Sequence, residues 1–115
     1  MAATVVITDD SSFPMNSLCF NGIVEFSRSF FDSDSKKFEL EIYEPIDEGA
    51  MYYVYLTNQN SQGFMAFDKA LDEAYKQSKA LEKIRHLDEQ YFGMVIDTWE
   101  ELLSLLRSDS RFVGD

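Results

Sequence analysis

The chain has 115 residues, of which 45% are apolar and 15% aromatic, and its 21 acidic and 10 basic residues give a net charge of −11. Direct binding to nucleic acid or to an anionic membrane needs clustered Lys and Arg, so this charge argues against both. The length is near the commonest domain size, and the apolar content is enough for a core. We therefore expect one domain over residues 1–115, with residues 109–115 as a frayed tail.

The first 22 residues predict strands joined by tight turns. Residues 4–8 are all β-branched, which is typical of a strand, and the polar residues 9–12 follow as a turn. Pro14 favours an edge strand or an irregular segment over residues 13–20. Asn21-Gly22 is a strong signal for a hairpin turn.

Residues 37–44 have the most regular pattern in the chain, because apolar and other side chains alternate there as in a strand with one buried face. The apolar positions are Phe38, Leu40 and Ile42, and the alternate positions are Glu39, Glu41 and Tyr43. Residues 23–31 and 51–56 also predict strands, with a turn at 32–35 and a loop at 45–49. These connections are too short for crossovers, so we expect an antiparallel sheet of four to five strands.

The second half of the sequence changes to a helical period. Apolar side chains recur every three or four residues from 64 to 85, which predicts one long helix packed on the sheet. Residues 86–93 are then a connector and residues 94–96 a short strand. Asp97 and Glu100 have the spacing of a capping box, which would begin a short C-terminal helix ending near Ser108. The predicted fold class is α+β.

The sequence offers little for catalysis or metal binding. Cys19 and His86 are the only residues of their types, so the chain cannot form a zinc site of several Cys or His ligands, and nothing pairs the two as nucleophile and base. Asp32 and Asp34 have the spacing of the first two acidic positions in a calcium-binding loop, but Lys37 occupies the position where that loop requires glycine. We expect no catalytic residue, no metal and no cofactor.

The candidate binding site lies in residues 38–50, which contain five acids and no base. On a strand, residues two apart project from the same face about 6.5–7 Å apart, so acids and tyrosines would form one surface. Charge of this kind speeds association with a basic partner, and tyrosine is enriched at binding hot spots. The predicted partner-binding residues are Glu39, Glu41, Tyr43, Glu44, Asp47, Glu48, Tyr53 and Tyr55. An ordinary solvated sheet face would have the same composition.

Our first hypothesis is a small acidic inhibitor that blocks a basic protein partner, such as a nuclease, a toxin or a nucleic-acid-binding defence complex. Immunity proteins and phage-encoded inhibitors, including anti-CRISPR proteins and nucleic-acid mimics, have this character. The second hypothesis is an adaptor or a homodimeric binding subunit, and the third is a small carboxylate-dependent enzyme. The start of the chain has no basic region and no long apolar run, so we expect a cytoplasmic location.

Overall fold

The computed structural model of the protein describes residues 2–85 and 89–113. The strands are β1 (Ala2–Thr8), β2 (Ser11–Asn16) and β3 (Tyr53–Tyr55). The helices are α1 (Ser17–Phe20), α2 (Lys36–Ile42), α3 (Glu44–Gly49), α4 (Ser61–Arg85) and α5 (Glu89–Arg107). A π-helical turn at Asn21–Glu25 and 3₁₀ turns at Arg28–Phe30 and Ser33–Ser35 connect α1 to α2.

The sheet of the described residues is mixed and three-stranded, in the order β2-β1-β3. Strand β1 pairs antiparallel with β2, where Val5 lies opposite Phe13, and parallel with β3, where Val5 lies opposite Val54. The prediction of an α+β fold is confirmed, but the prediction of a purely antiparallel sheet with four to five strands is wrong. Pro14 does lie on an edge strand, where its missing N–H is tolerated.

The predicted hairpin at Asn21-Gly22 and the strand at 23–31 are wrong, because the chain is helical there. Asn16 caps α1 by accepting a hydrogen bond from the Cys19 backbone N–H at 2.8 Å. Gly22 does not adopt the positive φ that a tight hairpin turn needs. The buried residues of this segment recur at helical spacing, and they are Cys19, Phe20, Ile23, Val24 and Ser27.

The predicted strand at 37–44 and the loop at 45–49 are also wrong. Helix α2 turns Glu39 and Ile42 inward, three residues apart, and leaves Leu40 50% exposed. Helix α3 has Pro45 in its first turn, where the missing N–H is harmless, and it ends at Ala50 in the left-handed conformation (φ 52°). Two short helices therefore occupy the segment that was predicted to be a strand and a loop.

The long helix is confirmed, and it begins three residues earlier than predicted. Asn60 accepts a hydrogen bond from the Gly63 N–H at 2.9 Å and so caps the start of α4. His86 and the first part of the predicted connector, residues 86–88, lie outside the described residues, and the rest of the connector prediction, residues 89–93, is wrong because these residues are helical. The predicted strand at 94–96 and the capping box at 97–100 are wrong, because both lie within α5. That helix ends at Arg107, close to the predicted end.

Both long helices contribute to one buried cluster with the sheet. Trp99 of α5 is fully buried, and its indole N–H donates to the Leu71 carbonyl of α4 at 3.1 Å. The cluster also contains side chains from β1, β3 and α4, among them Val5, Val54, Phe64 and Phe67. Burial of these side chains is the main stabilising contribution to the fold.

Arg111 fixes the described part of the predicted tail to the rest of the protein. Its guanidinium donates to the carbonyls of Leu56 at 2.6 Å, Gln59 at 3.1 Å and Ile7 at 2.8 Å. It also lies 4.6 Å from the centre of the Phe64 ring, a favourable cation–π distance. Residues 109–113 thus make contacts that a frayed tail does not make.

We expect Arg111→Met to lower the free energy of unfolding by about 2–4 kcal/mol, because three carbonyls lose a charged donor. Urea denaturation followed by circular dichroism measures this change. Ser110→Ala, at an exposed neighbouring position, is the control and should change the stability by less than about 0.5 kcal/mol. An Arg111→Met variant as stable as the wild type would contradict a structural role for the tail.

Candidate functional site

Tyr43 joins α2 to α3 from inside the protein. It is fully buried, and its hydroxyl donates to the Val24 carbonyl at 2.7 Å. Its ring packs edge-on against Phe31 at 5.9 Å and at a tilt against Phe67 at 6.4 Å. Tyr43 was predicted to contact a partner, but its side chain is a core residue that fixes the position of the two short helices.

Arg28 holds α2 and α3 together from the 3₁₀ turn that precedes them. Its Nε donates to Glu39 at 2.8 Å, and its two terminal nitrogens donate to the Asp47 carboxylate at 2.8 and 2.6 Å. The guanidinium also lies 4.7 Å from the centre of the Tyr43 ring. Glu39 is buried, whereas Asp47 is exposed and binds Arg28 through both oxygens, so both carboxylates pair with Arg28 of the same chain. Nothing in the local sequence pattern indicates Arg28.

The same ion pairs change the acidity of both carboxyl groups. Burial raises the pKa of Glu39, but hydrogen bonds from Arg28 and from Lys36, whose Nζ is 3.1 Å away, outweigh it and hold that pKa below its ordinary value. The hydrogen bonds from Arg28 lower the pKa of Asp47 as well. Both groups therefore stabilise the fold in their charged form.

The five remaining predicted residues come together on the outer side of this unit. One surface depression with a volume of about 550 Å³ is lined by all five: Glu41, Glu44, Glu48, Tyr53 and Tyr55. We call it the acidic–tyrosine surface. Its other lining residues are Pro45, Gly49, Met51, Asn58 and Gln59.

Two elements position these side chains. Glu44 and Glu48 are four residues apart on α3, and Glu41 precedes them on α2, so all three carboxylates lie on neighbouring turns. Tyr53 and Tyr55 are two apart on β3 and share a face, because Val54 between them points into the core. Since α3 packs on β3, the acids and the tyrosines face the same depression.

The chemistry of this surface suits the binding of a cationic partner. The residues that line it include three carboxylates, two half-exposed phenols and no Lys or Arg. Within residues 2–85 and 89–113, no three His, Cys, Asp or Glu side chains come close enough to hold a metal ion. Over the same residues, no helix is long and apolar enough to cross a membrane.

Comparison with known proteins gives relatives of one kind. The immunity protein CdiI of Burkholderia pseudomallei is 27% identical over 111 residues, which span 96% of this chain and 94% of that protein. The chain is a homologue of this immunity protein. No protein-family model matches it.

A solved structure has the same fold. It is a complex of the CdiA-CT toxin from Burkholderia pseudomallei E479 with its cognate CdiI immunity protein. One of its chains matches this one with a TM-score of 0.80 and 25% identity, over 95% of this chain and 97% of that chain. The likeness therefore covers the two long helices, the sheet and the short helices α2 and α3 together.

These likenesses confirm the predicted class, a protein-binding inhibitor of the immunity type. They give no support to inhibition of a CRISPR complex, to nucleic-acid mimicry or to a homodimer. They favour an inhibitor over the alternative of a carboxylate-dependent enzyme.

We expect Arg28→Gln to lower the free energy of unfolding at pH 7 by roughly 2–4 kcal/mol, because Glu39 stays buried with only Lys36 as a partner. The folded-state pKa values of Glu39 and Asp47 are depressed, so their contribution is present above the unfolded pKa and is lost as the pH falls below about 4. The difference in stability between wild type and variant should therefore shrink between pH 5 and pH 3, in roughly that window.

Urea titrations of both proteins at pH 7, 5, 4 and 3 measure this dependence. Lys37→Gln, an exposed change of one positive charge close to Arg28 in sequence, is the control for net charge. A stability difference that stays constant down to pH 3 would mean that the Arg28 ion pairs do not contribute as described.

Proposed function

We propose that this protein is an immunity protein that binds one cognate toxin of the CdiA-CT kind and neutralises it. The likeness to CdiI over nearly the whole of both chains carries this proposal. The solved relative is seen with its cognate toxin, and we extend that partnership to this chain. The proposal keeps the predicted cytoplasmic location, where a single buried Cys19 stays reduced.

We further propose that the acidic–tyrosine surface is where the toxin docks. Glu41, Glu44 and Glu48 would attract a basic face of the toxin and align it before contact. Tyr53 and Tyr55 would then bury ring area while their hydroxyls find polar partners. Binding of this kind blocks the toxin by occupying its surface and requires no chemical step by the immunity protein.

Growth rescue tests the function directly. Each CdiA-CT toxin domain encoded in the same genome as this chain is expressed from an inducible promoter in a laboratory bacterial host, with and without this protein. We expect one toxin to be neutralised and to form a 1:1 complex with the purified protein. The Burkholderia pseudomallei E479 toxin serves as the non-cognate control. Failure to neutralise or bind any toxin of that genome would overturn the proposal.

The docking surface is tested with the triple variant Glu41→Gln, Glu44→Gln, Glu48→Gln. We expect its association rate with the toxin to fall roughly tenfold at low salt, because steering by these charges is lost. The salt dependence of the rate should flatten for the same reason. Biolayer interferometry at about 50 and 500 mM salt measures both quantities.

The matched control replaces three exposed acids that do not line the surface, Glu73→Gln, Asp97→Asn and Glu101→Gln. It removes the same net charge from other faces of the protein. Equal slowing in both triples would show that overall charge, and not this surface, governs binding to the toxin.

A further inference from the structure

A second depression lies between α4 and the segment that leads into α2. Four aspartates and two lysines line it, so its wall is net acidic, and Phe38 and Phe112 give it apolar sides. The aspartates are Asp32, Asp34, Asp68 and Asp72, and the lysines are Lys37 and Lys69. We call this depression the Asp68 groove.

Asp68 is the unusual member of the groove. Its side chain is only 6% exposed, and its Oδ1 oxygen is buried without a hydrogen-bond partner among the described residues. A buried carboxylate oxygen normally has a donor, because leaving it unpaired is unfavourable. Burial raises the pKa of Asp68, so the charged form needs a cation close by.

Asp68 pairs with Arg107 at long range, and the lysines of the groove lie near other groups. Arg107 Nε is 3.7 Å from Asp68 Oδ1, beyond hydrogen-bond distance, while its terminal nitrogen donates to Asp72 at 3.1 Å. Lys69 pairs with Asp32 at 3.8 Å, and the Lys37 ammonium lies 5.4 Å from the centre of the Phe38 ring. The Asp68 carboxylate therefore lines the groove with a long ion pair to Arg107 and with no hydrogen bond to its buried Oδ1 among the described residues.

We infer that the Asp68 groove receives a lysine or arginine side chain of the toxin, with its cationic group paired with the Asp68 carboxylate and its alkyl part against Phe38 and Phe112. A basic side chain fits because it combines an apolar stem with a charged donor. The inference rests on the proposed function and adds a second anchor to it, outside the acidic–tyrosine surface.

The groove and the acidic–tyrosine surface adjoin, so one partner reaches both. Lys37 lines the groove and Glu41 lines the surface, four residues apart on one side of α2. Gln62 and Gln59, on either side of the start of α4, repeat this division. A toxin face that covers Glu41 would thus extend over the mouth of the groove.

A titration with N-acetyl-arginine N-methylamide tests the groove without a toxin. We expect saturable changes in the amide NMR shifts of residues 65–72 of the full chain, and none with the neutral citrulline analogue. Asp68→Asn should weaken this binding about tenfold, the effect of losing one charge-assisted bond. Glu73→Gln, exposed on the same helix outside the groove, should bind as the wild type does.

A second variant is expected to change binding in the opposite direction, which misfolding of the first variant could not explain. Arg107→Gln removes the nearest competing cation, so it should tighten binding of the arginine probe severalfold. Absence of shifts in the groove, or Asp68→Asn and Arg107→Gln proteins that both bind as the wild type does, would overturn the inference.

The toxin identified by growth rescue provides the last comparison. We expect Asp68→Asn to weaken its complex at least about tenfold, and Glu73→Gln to leave it unchanged. Toxin binding that is unaffected by Asp68→Asn overturns the groove as an anchor and leaves the proposed function intact. A wild-type protein that neutralises no toxin overturns the proposed function, and the occupant named here with it.

Discussion

The guanidinium of Arg28 is the interaction on which the geometry of the candidate site depends. It bonds to Glu39 on α2 and to both oxygens of Asp47 on α3, and it lies over the ring of Tyr43 between them. A buried carboxylate without such a partner is strongly destabilising, so α2 and α3 are held in one arrangement. That arrangement turns Glu39 into the interior, keeps the exposed Asp47 paired with Arg28, and leaves Glu41, Glu44 and Glu48 outward. Two acids thus stabilise the unit that presents the other three.

The local sequence pattern was enough to predict the elements that bury one continuous face. The β-branched residues 4–8 predicted β1, and the apolar period predicted most of α4, because each element buries a continuous face. The strand prediction for residues 37–44 was wrong because a short alternation of apolar and other side chains also fits a helix that buries Glu39 and Ile42 and exposes Leu40. The partner that makes a buried Glu39 favourable is Arg28, eleven residues away. A pattern within one segment contains no information about such a partner.

Five of the eight predicted binding residues line one depression, although the segment that carries three of them is helical and not a strand. The prediction rested on the run of acids without a base and on two nearby tyrosines, and a local excess of charge persists whether the segment is a strand or a helix. What could not be predicted was direction, since residues two apart share a face on a strand but lie about 200° apart around a helix. Glu39 and Tyr43 are internal for that reason, and Asp47 is exposed but paired with Arg28. The sequence did contain a signal for the burial of Asp68. This residue lies four positions after Phe64 and three before Leu71, so it falls within the apolar stripe of α4.

The charges of helix α3 are placed unfavourably for the helix itself. Its last turn contains Glu48 and no basic residue, although a helix C-terminus favours a cation, and Glu44 lies four residues before it with the same charge. A chain selected for stability alone would place lysine there. Glu44 and Glu48 therefore repel each other weakly in the free protein, by roughly 0.2–0.5 kcal/mol. Under the proposed function, a cationic partner would relieve this repulsion in addition to making its own contacts, so binding and stability would be linked at α3.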